Sequence, residues 1–160
     1  MSFTVTSTDF SDGGVLPDAQ VKAKGNTSPQ LSWSGAPEGT RSFAVTCYDP
    51  DAPTGSGFWH WTAANIPADV AELAAGAGAV GGAGLPQGAV QGRTDYGEAG
   101  FGGAAPPPGH GPHRYIFTVF AVDVDRLDVT EADSGAVFGF NLHFHTLAKA
   151  SITATYENKA

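Results

Sequence analysis

The sequence predicts a mainly β fold, in which one antiparallel sheet packs on a second sheet and one helix lies in the C-terminal half. Two patterns support this prediction. Several short segments rich in β-branched and aromatic residues end at turns with glycine or proline, and one longer segment has apolar residues at helical spacing. The 22 glycines and 11 prolines favour long loops over long helices. The chain of 160 residues is expected to form a single domain over residues 1–160.

Six segments are predicted to be strands. The strongest is "HRYIFTVFAVD" (113–123), a long run of β-branched and aromatic residues that follows a proline. A second such run, "SFAVTCYD" (42–49), ends at Pro50. The other four predicted strands are residues 3–6, 30–33, 60–66 and 150–157.

One helix is predicted near residues 134–148. Its apolar residues follow a 3-4 spacing and so share one face: Val137, Phe140, Phe144, Leu147 and Ala148. Thr130 or Ser134 is expected to cap its start, because either side chain can accept a hydrogen bond from a free amide there. Residues 68–76 are expected to add a turn or two of helix.

Residues 76–112 form one long segment dominated by glycine, alanine and proline. An interdomain linker has such a composition, but each flank is too short to be a domain, and loops of this length within a domain are usually functional. The stretches "QGRTDYG" and "AGF" also carry polar and aromatic residues that a pure linker lacks. We therefore interpret the segment as a loop wrapped on the surface, with a flexible glycine-rich part.

Composition and charge exclude several classes of protein. The formal net charge of −8 argues against nucleic-acid binding and against a basic surface for anionic membranes. The sequence has no apolar run of about 18 residues and no signal-peptide pattern, so we expect no integral membrane segment and a cytoplasmic location. Cys47 is the only cysteine, so no disulfide can form within the chain.

Two motifs identify a family. "YDPDAPTGSGFWHWTAANIP" (48–67) is a proline-rich turn followed by an aromatic strand with His60, and "APPPGHGPHRY" (105–115) is a Gly/Pro loop that leads into a strand. In order and residue type, they resemble the phosphatidylethanolamine-binding protein family, in particular its bacterial, Raf-kinase-inhibitor-like branch. The resemblance covers nearly the whole chain. It implies an antiparallel β-sandwich with long Gly/Pro-rich loops, and a cis bond between Ala52 and Pro53 in the tight turn.

The resemblance, together with strand periodicity, predicts a small pocket for an anion. His113 and Tyr115 share one face of their strand, whereas Arg114 lies on the other and can reach a carboxylate. The predicted ligand-binding residues are Asp49, Asp51, His60, Pro106, Pro107, His113 and Tyr115. Trp59 and Trp61 are expected to pack beneath the pocket or to form its apolar rim.

His60 is expected to be charged when it binds an anion. Asp49 near His60 is expected to raise the pKa of the imidazole and to favour the charged form, which donates to an anion. The affinity for an anion would then rise as the pH falls from about 8 towards about 6.

Binding of a small phosphorylated or anionic ligand is the favoured function: a phospholipid headgroup, a phosphate monoester or a phosphorylated peptide. One alternative is a regulator that inhibits a kinase or protease partner. Another is a weak hydrolase that uses Asp49, His60 and His113 as acid and base, although the sequence lacks a nucleophile motif.

No cofactor and no metal site are expected. His143 and His145 face different sides of the predicted helix and have no cysteine cluster beside them, so a structural or surface role is favoured for both. A homodimer is expected, because bacterial members of the family commonly pair.

Overall fold

The computed structural model describes residues 2–159, in which strands form two antiparallel sheets. The strands are β1 (Thr4–Thr6), β2 (Leu31–Ser34), β3 (Ser42–Asp49), β4 (Phe58–Pro67), β5 (Glu72–Leu73), β6 (Val90–Gln91), β7 (His113–Val122) and β8 (Thr146–Tyr156). A three-stranded sheet has the order β1-β2-β5, and a five-stranded sheet has the order β6-β4-β3-β7-β8. One helix, α1 (Gly135–His145), and a 3-10 turn at Asp18–Gln20 complete the elements of the described residues.

The two sheets pack face to face around the main hydrophobic core. Val5, Leu31 and Trp33 of the three-stranded sheet belong to one buried cluster with Phe43 and Val45 of the five-stranded sheet. The ring centroids of Trp33 and Phe43 lie 5.5 Å apart across this interface. All five side chains are more than nine-tenths buried. The predicted antiparallel β-sandwich is therefore confirmed.

Strand β3 positions the rest of the five-stranded sheet. It is buried along almost its whole length, and it pairs in antiparallel fashion with β4 on one side and β7 on the other. At its C-terminal end, Asp49 lies opposite Phe58, the first residue of β4, while Tyr48 lies opposite Ile116 near the start of β7. The end of one strand and the beginnings of two others thus meet at one edge of the sheet.

Helix α1 covers the other face of the five-stranded sheet. Ser134 caps it, as predicted, with a side chain that accepts a hydrogen bond from the backbone amide of Val137 at 3.4 Å. Phe138 and Leu142 are buried in a second hydrophobic cluster against the sheet. No helix in the described part of the chain is long and apolar enough to span a membrane.

The helix predicted near residues 134–148 is present but ends at His145, so Leu147 and Ala148 belong to β8. The apolar residues that do lie in α1 are mainly on its exposed side. Phe140 is 67% exposed and Phe144 is 64% exposed, and Val137 and Leu147 are exposed as well. The buried side is supplied by Phe138 and Leu142, which are also apolar, so the 3-4 spacing finds the helix without identifying the side that faces the sheet. We call Val137, Phe140, Phe144 and Leu147 the exposed apolar face.

All six predicted strands are present, with small shifts at their ends. The helical turn expected at residues 68–76 is wrong, because this stretch contains β5, in which the buried Leu73 lies opposite Leu31. Strands β5 and β6 were not predicted. Each has only two residues, too few to show a period-2 pattern.

The long segment of residues 76–112 is part of the sandwich and is not a linker. Strand β6 within it pairs with β4. Phe101 and Ala104 are buried in the main core, where the ring of Phe101 meets that of Trp61 edge to face at 5.9 Å. The segment therefore contributes core residues as well as surface.

The Ala52–Pro53 bond is trans, so the expected cis bond is wrong. The trans form is the lower-energy one for a bond before proline. The turn closes with other contacts: the amide of Thr54 donates to the carbonyl of Ala52 at 2.8 Å, and the hydroxyl of Thr54 donates to the carbonyl of Gly57.

Candidate functional site

Four of the predicted site residues meet where the ends of β3, β4 and β7 come together. Asp49 ends β3, His60 lies near the start of β4, and His113 and Tyr115 lie at the start of β7. They line one cavity of about 190 Å³ that is partly open to solvent. Apolar side chains complete most of the lining, namely Ala52, Pro53, Phe58, Ala105, Pro106 and Pro107. All the predicted site residues except Asp51 therefore line this cavity.

A buried hydrogen bond joins Asp49 to His113. The Oδ2 atom of Asp49 lies 2.7 Å from Nδ1 of His113, and the two residues are 2% and 1% exposed. The other carboxylate oxygen, Oδ1, accepts from the backbone amide of Asp51 at 2.7 Å. Because an ionised carboxylate can only accept, the proton of this bond lies on Nδ1 of His113. The bond fixes the tautomer and the orientation of the His113 ring.

His60 is buried and bonded to the backbone, and Asp49 does not pair with it. Its Nδ1 donates to the carbonyl of Gly102 at 2.8 Å. Burial lowers the pKa of His60, and this effect outweighs the Gly102 carbonyl and Asp49, both of which raise it. The expectation that Asp49 makes His60 an imidazolium is therefore wrong. The ring is neutral near pH 7, and its Nε2 carries no proton.

The hydroxyl of Tyr115 is buried without a hydrogen-bond partner among the described residues. Burial raises the pKa of Tyr115 far above its usual range, with Asp49 adding to the shift, so the hydroxyl keeps its proton. Tyr96 beside it differs, because its hydroxyl donates to the carbonyl of Gly103 at 2.8 Å. Burial raises the pKa of Tyr96 to about 12. Tyr115 is thus a protonated donor that the protein itself does not use.

Asp51 lies outside the cavity lining and binds Arg114. Its Oδ1 accepts from the Arg114 side chain at 2.9 Å, and its Oδ2 accepts from the side-chain Nε at 3.0 Å and from the backbone amide at 2.8 Å. The hydrogen bond from the Arg114 side chain lowers the pKa of Asp51 to about 2. The carboxylate expected for Arg114 is therefore Asp51. This pair joins the proline-rich turn to the start of β7.

Sequence reasoning missed Phe58, Tyr96 and Gly102 as parts of the site. Phe58 precedes His60 by two residues, so strand alternation places both on one face and could have identified it. Tyr96 and Gly102 belong to the long segment, which has no periodic pattern. A Cβ atom on Gly102 would collide with the ring of Tyr96, so only glycine lets this carbonyl approach His60.

Trp59 and Trp61 lie outside the cavity lining. Trp61 is fully buried, and its Nε1 donates to Oε1 of Gln91 at 2.8 Å. Trp59 packs on Tyr48, with ring centroids 4.6 Å apart, and against Gly135 at the start of α1. Of the two positions expected for them, the rim is therefore wrong: both residues lie on β4, and Trp61 is part of the main core.

The remaining histidines show no metal site. No group of three or more His, Cys, Asp or Glu side chains within residues 2–159 could hold a metal ion. His145 pairs with Asp123 at 2.9 Å near the surface, and His143 is exposed on α1. Both positions agree with the surface role inferred from the sequence.

The sequence matches one family profile and two bacterial proteins over nearly its whole length. Residues 6–157 match the sequence profile of a family described as phosphatidylethanolamine-binding protein. The UPF0098 protein YbhB of Escherichia coli (strain K12) is 55% identical over 155 residues, which cover 94% of this chain and 97% of YbhB. The UPF0098 protein YbcL of the same strain is 53% identical over 163 residues, which cover 99% of this chain and 89% of YbcL.

Solved structures match the fold. The crystal structure of E. coli YbcL, described as a new member of the mammalian PEBP family, has a TM-score of 0.97 at 52% identity, covering 99% of this chain and 100% of that one. A PEBP homologue from Chlamydia trachomatis, CT736, has a TM-score of 0.83 at 30% identity and covers 99% of both chains. The single-domain organisation and the cytoplasmic location stay predictions.

Acid is expected to destabilise the protein through His60. In the unfolded chain this ring gains a proton as the pH falls through about 6.5, whereas burial keeps it neutral in the folded state down to a lower pH. The unfolded state then binds more protons. The free energy of unfolding therefore decreases as the pH decreases through this interval, by up to about 1.4 kcal/mol per pH unit for one proton.

Urea unfolding between about pH 7.5 and about pH 5 measures this effect in the wild type and in His60→Gln. The variant should lose less stability on acidification, because the other ionisable groups titrate in both proteins and only the contribution of His60 is removed. Equal losses in the two proteins would show that burial of His60 does not set this pH dependence.

Proposed function

Because the chain belongs to the phosphatidylethanolamine-binding protein family, we propose that its cavity binds a small phosphorylated ligand. The candidates are a phospholipid headgroup, a phosphate monoester and a phosphorylated side chain of a peptide. One observation carries the proposal: the Tyr115 hydroxyl is a buried donor without a partner, on a residue that lines the cavity. A ligand oxygen would supply the hydrogen bond that the hydroxyl lacks.

The cavity offers a donor and an acceptor, not a cluster of cations. Tyr115 donates through its hydroxyl, and neutral His60 presents an unprotonated Nε2 because its proton lies on Nδ1. A phosphate monoester with one P–OH group matches both, since it accepts from Tyr115 and donates to His60. In a phospholipid headgroup, whose phosphate is a diester without P–OH, an ammonium N–H group would be the donor to His60. Among the described residues, no lysine or arginine lines the cavity, whereas the buried Asp49 does. A monoanionic or zwitterionic ligand is therefore favoured over a dianion.

The size of the cavity favours a headgroup. Its volume of about 190 Å³ is below the roughly 300–1,000 Å³ of sites for drug-sized ligands. Pro53, Pro106, Pro107 and the ring of Phe58 line its walls. A phosphate with a short organic group fits within these walls, and the rest of a lipid or peptide would lie outside.

Binding is favoured over hydrolysis. The hydrogen bond from His113 to Asp49 orients the ring as a general base would be oriented. A free nucleophile, however, is lacking in the described lining. Cys47 is 1% exposed, and burial raises the pKa of its thiol. The hydroxyl of Thr54 already donates to the carbonyl of Gly57.

We further propose that the chain forms a homodimer through the exposed apolar face. Phe140 and Phe144 meet there edge to face, with ring centroids 5.2 Å apart. The helix "GAVFGFNLHFH" contains no Asp, Glu, Lys or Arg, although the whole chain has a net charge of −8. A second copy can approach this uncharged surface without local charge repulsion, whereas a partner selected by charge would find no complement on it.

Tyr115→Phe is expected to weaken ligand binding without destabilising the protein. The substitution removes one hydrogen bond to a charged oxygen, which corresponds to about ten- to a hundredfold in affinity for phosphoethanolamine. The free protein should be as stable as the wild type or more stable by up to about 1 kcal/mol, because a buried hydroxyl without a partner is lost. Calorimetric titration and urea unfolding measure the two effects.

Two controls accompany this experiment. His143→Ala changes an exposed histidine outside the cavity and should leave the affinity unchanged. Ethanolamine without its phosphate should bind more weakly than phosphoethanolamine. Equal affinity of the wild type and Tyr115→Phe for phosphoethanolamine would contradict the proposed site.

The double variant Phe140→Ser, Phe144→Ser is expected to be monomeric. Light scattering at micromolar concentration should give the wild type twice the 16.3 kDa mass of one chain, and the variant the mass of one chain. Val15→Ser is a matched control, since Val15 is 72% exposed outside the exposed apolar face, and it should stay dimeric. A monomeric wild type would contradict the dimer and would leave this face available to a different protein, such as a regulated kinase or protease.

A further inference from the structure

Both ring nitrogens of His113 are engaged in the free protein. Nδ1 donates to Asp49 at 2.7 Å, and Nε2 lies 2.6 Å from Nδ1 of His110. The two histidine rings meet edge to face, with centroids 4.9 Å apart. His113 lines the cavity, yet it has no free N–H group for a ligand while His110 is in this position.

One proton lies between the two histidine rings. Two ring nitrogens form a hydrogen bond only when one carries the proton and the other presents a lone pair. Nδ1 of His113 already holds a proton towards Asp49. The Nε2 of a neutral His113 therefore accepts from His110, and the Nε2 of a charged His113 donates to it. In both forms His110 is the hydrogen-bond partner of His113 Nε2.

The turn that carries His110 is free of core packing. His110 is exposed and lies between Gly109 and Gly111, whose φ angles of 72° and 89° are in the region that glycine adopts readily. A Cβ atom on either glycine would meet nothing within 4 Å. The side chain of His110 can therefore leave His113 without unpacking the core.

We propose that His110 is a displaceable cap on His113, and that an ionised ligand oxygen replaces its Nδ1 as the partner of the charged form of His113, which keeps the proton and donates it from Nε2. This proposal rests on the proposed function and adds a residue that affects affinity and selectivity. Because the ligand must break the histidine pair, the exchange favours an acceptor that forms a stronger hydrogen bond than imidazole does. A charged phosphate oxygen meets this condition, whereas a neutral carbonyl or hydroxyl oxygen does not.

His110→Ala removes the competing partner and tests the proposal. It should bind phosphoethanolamine about three- to tenfold more tightly than the wild type. The reason is that the ligand no longer has to break the hydrogen bond between the two histidines, and one such bond corresponds to about this factor in affinity. His143→Ala, an exposed histidine on α1, is the matched control and should bind like the wild type. Calorimetric titration gives the three affinities. Unchanged binding by His110→Ala overturns the cap, and so does weaker binding, which would make His110 a residue that holds the ligand.

A measurement without ligand separates this proposal from the proposed function. In nitrogen NMR spectra of the free protein, the Nε2 resonance of His113 should move in His110→Ala and stay in place in His143→Ala. If neither the wild type nor His110→Ala binds inorganic phosphate or phosphoethanolamine, the proposed function fails, and this resonance alone decides the cap. An unmoved Nε2 resonance overturns the cap, and a displaced one supports it.

Discussion

The carboxylate of Asp49 joins the end of β3 to the proline-rich turn and to the start of β7, at the edge of the cavity. One oxygen accepts from the amide of Asp51, at the start of the proline-rich turn, and the other accepts from His113, at the start of β7. Asp49 is 2% exposed, and a buried carboxylate without such partners costs several kcal/mol, on the order of 3–5 when a pair is broken. The end of β3, the path of the turn and the orientation of His113 therefore depend on one another.

This constraint also determines the chemistry of the cavity. The negative charge of Asp49 is used inside the protein, and His60 is held neutral by burial although Asp49 lies near enough to oppose that effect. On the exposed side, Asp51 and Arg114 neutralise each other. While His110 stays on His113, the polar groups left to a ligand are the Tyr115 hydroxyl and the unprotonated Nε2 of His60. Such a site recognises a phosphate by hydrogen-bond geometry more than by charge.

Local pattern in the sequence predicts the parts of the site that lie on strands. The alternation of β7 places His113 and Tyr115 together and Arg114 on the opposite side, as the bond from Arg114 to Asp51 reflects. The partner of His60 could not be predicted in this way. It is the carbonyl of Gly102, in a segment without periodicity, and only the folded path of that segment brings the two together. The expected charge of His60 was wrong for the same reason, since burial is a property of the whole fold.

The helix shows a second limit of sequence patterns. Apolar residues occupy two sides of α1, and periodicity alone cannot tell which side the sheet covers. Phe138 is buried and Phe140, two positions later, is 67% exposed. At the helix start, α1 approaches Trp59 so closely that only glycine fits at position 135, a tertiary contact that periodicity does not reveal.

A crystal structure of the protein grown with phosphoethanolamine would locate the phosphate and so test the proposed site directly. A phosphate oxygen should lie within about 3 Å of the Tyr115 hydroxyl, inside the cavity lined by His60 and His113. A phosphate bound elsewhere, with the Tyr115 hydroxyl still without a partner, would contradict this site.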